Sequence, residues 1–158
     1  MKKRSVRYSL LVIAVLWMTV IFSFSAQTGT ESGGLSAIIS KPLTDLILLV
    51  TGDIPGEREE ALFLLVDGIV RMFAHFTEYT VLGMLITAVL RAFGVKRAWI
   101  SFLLGIGYAV TDELHQAYSP GRTSDPMDVL IDAAGVLFGI LIYHGARYVW
   151  RKKHVHDS

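Results

Sequence analysis

Four apolar stretches, each long enough to cross a bilayer, dominate what this chain can fold into, and three of them carry ionisable side chains toward one end. The stretches are residues 8–24, 73–93, 98–118 and 127–150. A spanning helix needs about 20 apolar residues and must satisfy its backbone hydrogen bonds internally. The expected fold class is therefore an all-α membrane protein with four transmembrane helices. Around the outer halves of the last three stretches sit His75, Glu78, Asp112, Glu113, His115, Arg122, Asp125, Asp128 and Asp132. Charged groups in or near hydrocarbon are costly unless paired or hydrated, so residues placed there default to functional suspects.

Composition agrees with a lipid setting. Hydrophobic residues make up 53% of the 158 residues and charged ones 18%, with a mean hydropathy of +0.50. A chain of this length and bias is expected to form one membrane unit. The absence of cysteine excludes disulfides, thiolate metal ligands and a cysteine nucleophile. The net charge of +1 conceals an asymmetry. Lys2, Lys3, Arg4 and Arg7 precede the first stretch, Arg91, Lys96 and Arg97 join the second to the third, and Arg147, Arg151, Lys152 and Lys153 close the fourth. The other side holds only Lys41, Arg58, Arg71 and Arg122. By the positive-inside rule both termini are expected in the cytoplasm. The basic ends read as topology signals, and nucleic acid is not an expected partner.

The one long connection, residues 25–72, is expected on the extracytoplasmic side. Its start, 27–34, is rich in turn formers and predicts irregular structure. The apolar run 43–50 is too short to span and predicts a short interfacial or re-entrant helix. From Glu57 a helical pattern resumes with acids in the first turn, where they suit the helix dipole. Asp67, Arg71, His75 and Glu78 then fall on one helical face that continues as Leu82, so one long helix should carry a polar stripe down into the membrane. A short turn at 94–97 predicts an antiparallel hairpin between the second and third spans. The motif Gly135-Val-Leu-Phe-Gly139 allows close helix contact, although GxxxG is common.

Three constellations carry candidate chemistry. His75 and Glu78, three apart on a helix, can share a proton or a cation; the plainer reading is a packing pair. In Asp112-Glu113-Leu114-His115-Gln116, Asp112 and His115 share one face while Glu113 and Gln116 share another, so only one pair should point at the stripe. For Glu113, simple emergence of the helix into water is an equally good account. Asp125 before Pro126 reads as a helix N-cap, which explains Asp125 and in part Asp128, but Asp132 lies one turn deeper. Stacked Asp128 and Asp132 repel unless a cation, a proton or Arg122 intervenes. Arg122 reads either as charge balance or as a clamp for phosphate or carboxylate. Ser25 and Gln27 at the outer end of the first span are weak candidates alone, since interfacial capping explains them. The donor set also admits a divalent cation among oxygen and nitrogen ligands, and the sequence assigns no cofactor.

Read in order, Phe22-Ser-Phe-Ser-Ala-Gln27, His75-x-x-Glu78-Tyr79-x-x-Leu82-Gly83, Asp112-Glu113-x-His115-Gln116, Pro120-Gly121-Arg122 and Asp128-x-x-x-Asp132-x-x-Gly135 together resemble the VanZ-like family. That family comprises small polytopic bacterial membrane proteins whose founding type is linked to low-level teicoplanin resistance. It usually carries Asn where this chain has Asp132, so an amide-specific role at that position does not transfer. The basic, apolar and small-residue order of the N-terminus also fits a cleaved secretory signal. Retention as a span is the expectation, because Ser25 and Gln27 would then join the polar cluster.

The resemblance implies a multi-pass protein of the bacterial cytoplasmic membrane with an extracytoplasmic polar site. On an enzymatic reading Glu78, His75, His115, Asp112 and Glu113 do acid–base work, while Arg122, Asp128, Asp132, Gln116, Ser25 and Gln27 bind a lipid-linked envelope precursor. On the other reading the chain is an accessory protein that binds such a lipid or a lipoglycopeptide. The sequence leaves enzyme and accessory roles equally open. Ion translocation is not expected, because the inner halves of the four spans lack acidic residues.

Overall fold

The computed structural model describes residues 2–52, 55–121 and 125–155. They form five helices and no strand: α1 (Lys2–Ser25), α2 (Gly29–Thr51), α3 (Gly56–Ala92), α4 (Ala98–Gln116) and α5 (Pro126–Val155). The all-α fold is as the sequence predicts. Helices α1, α4 and α5 pack on the C-terminal half of α3 around Ile21, Tyr79, Leu82, Ala109, Val136 and Ile140. Most other large apolar side chains face outward, including Leu11, Leu16, Leu104, Leu137 and Leu141. An apolar surface over a core with buried polar groups is the distribution hydrocarbon demands, and the chain is a membrane-embedded helical protein.

The local signals read from sequence set the helix ends. Gly94 takes φ +93° after α3, and the Val95 N–H donates to the Leu90 carbonyl, closing the tight turn into α4. Asp125 caps α5, with its Oδ1 accepting from the Met127 N–H at 2.9 Å ahead of the helical Pro126. At one end of the bundle the N-terminus of α1 meets the C-terminus of α3 through Tyr8 and Phe93, 6.2 Å between ring centroids. There Arg91 Nη2 also lies 3.3 Å from Nδ1 of His144 on α5. The basic residues of three chain segments thus gather at one end, and the acidic ones at the other.

Helix α2 differs from expectation. Residues 27–34 are not irregular: the Thr28 hydroxyl accepts from the Glu31 N–H while Glu31 Oε2 accepts from the Thr28 N–H, a capping box that starts the helix among its glycines. The helix then runs unbroken through Pro42 and takes in the apolar run 43–50. It is one helix of 23 residues where short segments were expected. By length and composition α1, α2, α3 and α5 are each able to cross a membrane. The predicted third span, α4, is not among them, because its last turns carry Asp112, Glu113, His115 and Gln116. Helix α2 does not join the bundle side by side. It starts at the outer end, where the Gly29 N–H donates to the Pro120 carbonyl at 3.0 Å, and it packs on the N-terminal half of α3.

The tightest packing is between α3 and α5. A Cβ on Gly83 would strike the Val136 carbonyl, one on Gly135 would sit 2.6 Å from the Phe76 carbonyl oxygen, and one on Gly139 would strike the Thr80 carbonyl. The glycine pair at 135 and 139 is therefore a backbone contact surface. Gly139→Ala should destabilise the bundle by about 1–3 kcal/mol, the usual cost of overpacking. Gly145→Ala meets open space and should not. Thermal denaturation in detergent checks this: a melting temperature lowered only by the first substitution is expected.

Candidate functional site

The site forms where the polar stripe of α3 meets the outer ends of α1, α4 and α5. Arg71, His75 and Glu78 lie on one side of α3, as their spacing predicts, and all three line a cavity of about 340 Å3. Ser25 and Gln27 from α1 and its exit, and Asp112 and Gln116 from α4, complete its polar lining. Its walls are apolar: Ile21, Phe24, Val70, and Leu35 and Ile39 from α2. A second cavity of about 260 Å3 lies across Arg71, His75 and Gln116, bounded by Asp125 and Asp128. Those three side chains therefore form a shared wall between a largely apolar chamber and a polar one.

Helix packing decides the rotations. Trp17 Nε1–H donates to the Glu78 carbonyl at 2.9 Å, and the Tyr108 hydroxyl donates to the Met18 carbonyl at 2.7 Å. These bonds lock α1 against α3 and α4. The Ser25 hydroxyl, reaching the Asp112 carbonyl at 3.4 Å, ties the end of α1 to the site. Across the bundle, His75 Nδ1 sits 3.5 Å from Oδ1 of the buried Asp132, an ion-pair distance without a hydrogen bond. Asp132 thus faces the imidazole.

The four polar residues of α4 are divided otherwise than expected. Asp112 and Gln116, one turn apart, share the face toward the cavity. His115 turns away and stacks on Phe22, 4.3 Å between centroids. Glu113 is buried rather than emerging into water, and its Oε1 accepts from the Asp125 N–H at 2.6 Å. The i, i+4 relation, offset by only about 40° around the helix, prevails over i, i+3 here. Arg122 lies outside the described residues.

Sequence reasoning passed over four contributors. Arg71 was placed on the stripe without a role, yet it lines both cavities. Tyr79 is fully buried beside the site, within electrostatic reach of Asp112 and Asp132. Ser32 and Ser36 of α2 also line the larger cavity; their four-residue spacing with Ser40 was the available signal.

Buried polar atoms are normally hydrogen-bonded. Here His75 Nδ1, Tyr79 Oη, Asp112 Oδ1, His115 Nε2, Gln116 Nε2 and Asp132 Oδ1 have no hydrogen-bond partner among the described residues. Asp112 and Gln116 are 3% and 2% exposed, so both present unmet bonding capacity at the cavity wall. Such a lining holds a donor and acceptor set ready for a polar group. No three His, Asp or Glu side chains among the described residues are arranged to hold a metal ion.

The model of the VanZ/LLP1 family matches residues 10–150, all five helices included. The chain belongs to that family. No curated protein and no solved structure matches it. The VanZ/LLP1 match runs through α2 as well as the bundle, so the helix that supplies the apolar wall lies within the family region.

Glu113 supports the site from outside the cavities. Glu113→Ala would leave the Asp125 N–H without its acceptor, at a cost of about 1–3 kcal/mol. Limited proteolysis of the segment 117–125 should accelerate in this variant, whereas Glu113→Gln keeps an acceptor and should stay close to wild type.

Proposed function

We propose that this VanZ/LLP1 protein binds an amphipathic, lipid-linked envelope molecule at the extracytoplasmic side of the bacterial cytoplasmic membrane and thereby alters teicoplanin susceptibility. The single observation that carries the reading is the two-sided character of the larger cavity. Ile21, Phe24, Leu35, Ile39 and Val70 suit a hydrocarbon chain, while His75, Glu78, Asp112 and Gln116 suit a polar headgroup. Ligand sites typically combine apolar walls with a few convergent polar groups, and this volume lies in the usual range. The polar second cavity beyond Arg71 and His75 gives room for the rest of a headgroup. Orientation follows from charge: the basic end of the bundle faces the cytoplasm with both termini, and the site faces out.

A second reading, acid–base catalysis on the same ligand, is favoured by one observation. Asp132 Oδ1 sits 3.5 Å from His75 Nδ1, close enough to orient the imidazole. Binding is the primary reading, because it draws on the whole lining of the cavity and catalysis on this one pair.

Teicoplanin susceptibility of a host expressing the wild-type chain, Glu78→Gln or Asp112→Asn tests the proposal, with membrane abundance measured for each. Protection by wild type, lost in both variants at equal abundance, is expected, because each substitution removes charge and retains shape. Protection that survives both substitutions would overturn the role of the polar lining. Turnover of a co-purifying lipid that stops in His75→Gln, while the lipid stays bound, would favour catalysis.

A further inference from the structure

Helix α2 and the N-terminal half of α3 form an arm beyond the outer end of the bundle, and its polarity is inverted for a water-exposed element. Outward lie Ile38, Leu46, Leu49 and Val50 on α2 and Leu64 and Leu65 on α3, between 56% and 82% exposed. Inward lie the polar groups. Ser40 is fully buried and donates to Asp67 of α3 at 2.7 Å, and Thr44 is buried beside it. We propose that the outward faces of this arm are covered by the acyl chains of the extracytoplasmic leaflet. The inference is independent of what the cavity binds.

Three further observations favour lipid over water. The hydroxyls of Ser36, Thr44 and Thr51 donate to backbone carbonyls of the preceding turn, and that of Ser40 to Asp67, so the arm satisfies them without solvent. Pro42 sits in the interior of α2, where it costs about 3 kcal/mol in a water-exposed helix but is well tolerated in membrane helices. The apolar surface is also continuous with that of the bundle: Phe24 at the lipid-facing end of α1 and Leu35 and Ile39 of α2 border one cavity. Charges collect instead around one hollow between the helices, lined by Lys41 and Asp45 of α2 and Glu59 and Glu60 of α3. At 37 residues α3 is about 55 Å long against about 30 Å of hydrocarbon, so the proposal requires α3 to run oblique to the membrane normal. The occupant is thus a lipid surface of the kind that amphipathic interfacial helices enter.

The chain has no cysteine, which makes single-cysteine spin labelling direct. Nitroxides at Leu46→Cys and Leu64→Cys, in purified protein reconstituted into phosphatidylglycerol-containing liposomes, are compared with Glu59→Cys at the charged hollow and Leu104→Cys on the bundle. Collision with dissolved oxygen severalfold above that with a water-soluble nickel chelate, as at Leu104→Cys, is the expected result. Nickel accessibility equal to that at Glu59→Cys would place the arm in water and overturn the proposal. Low accessibility to both reagents would also overturn it, since a second copy of the chain then covers the face.

Discussion

The close approach of α3 and α5 governs the rest of the structure. Gly83, Gly135 and Gly139 let the two backbones touch at positions where any Cβ would collide with a carbonyl. In hydrocarbon, where apolar side chains gain nothing by leaving lipid, such van der Waals contact is a main source of helix association. The same approach sets the chemistry. One turn above Gly135, Asp132 reaches 3.5 Å from His75, a separation that a wider helix spacing would not allow. The glycine seam and the polar site are therefore one geometric feature.

Much of the site was legible because helical spacing is rigid. The stripe Asp67, Arg71, His75, Glu78 and Leu82 follows from residue numbers alone; the structure puts Arg71, His75 and Glu78 in the cavity, Asp67 against Ser40 of α2 and Leu82 in the core. The Asp125 cap and the Gly94 turn were equally local signals. What sequence could not supply was rotation and tertiary pairing. Whether Asp112 shares its face with His115 or Gln116 depends on how α4 turns against α1, which Tyr108, Ser25 and the stacked Phe22 decide. Nor does any local rule place the Glu113 carboxylate on an amide twelve residues later.

Helix α2 was misjudged for a different reason. Its turn formers at 27–34 suggested irregular structure, and the apolar run 43–50 taken alone suggested only a short interfacial or re-entrant helix. The Thr28 and Glu31 capping box offsets the weak start, and packing on α3 through Ser40 and Asp67 fixes the remainder. Turn-former statistics transfer poorly to a helix whose start is capped and whose inner face is held by a neighbouring helix.

That helix also gives the site its character. Without Leu35 and Ile39 the polar residues of α1, α3 and α4 would open directly to the surface, as a charged rim at the end of a bundle. With them, unmet groups on Asp112 and Gln116 face a chamber of about 340 Å3 with apolar walls. In such surroundings a hydrogen bond to a ligand is worth more than in water, and an unmade one costs more. Under the proposed function, a ligand that meets these polar atoms would gain more than one that brings only an apolar tail, so the lining would favour a molecule with both parts.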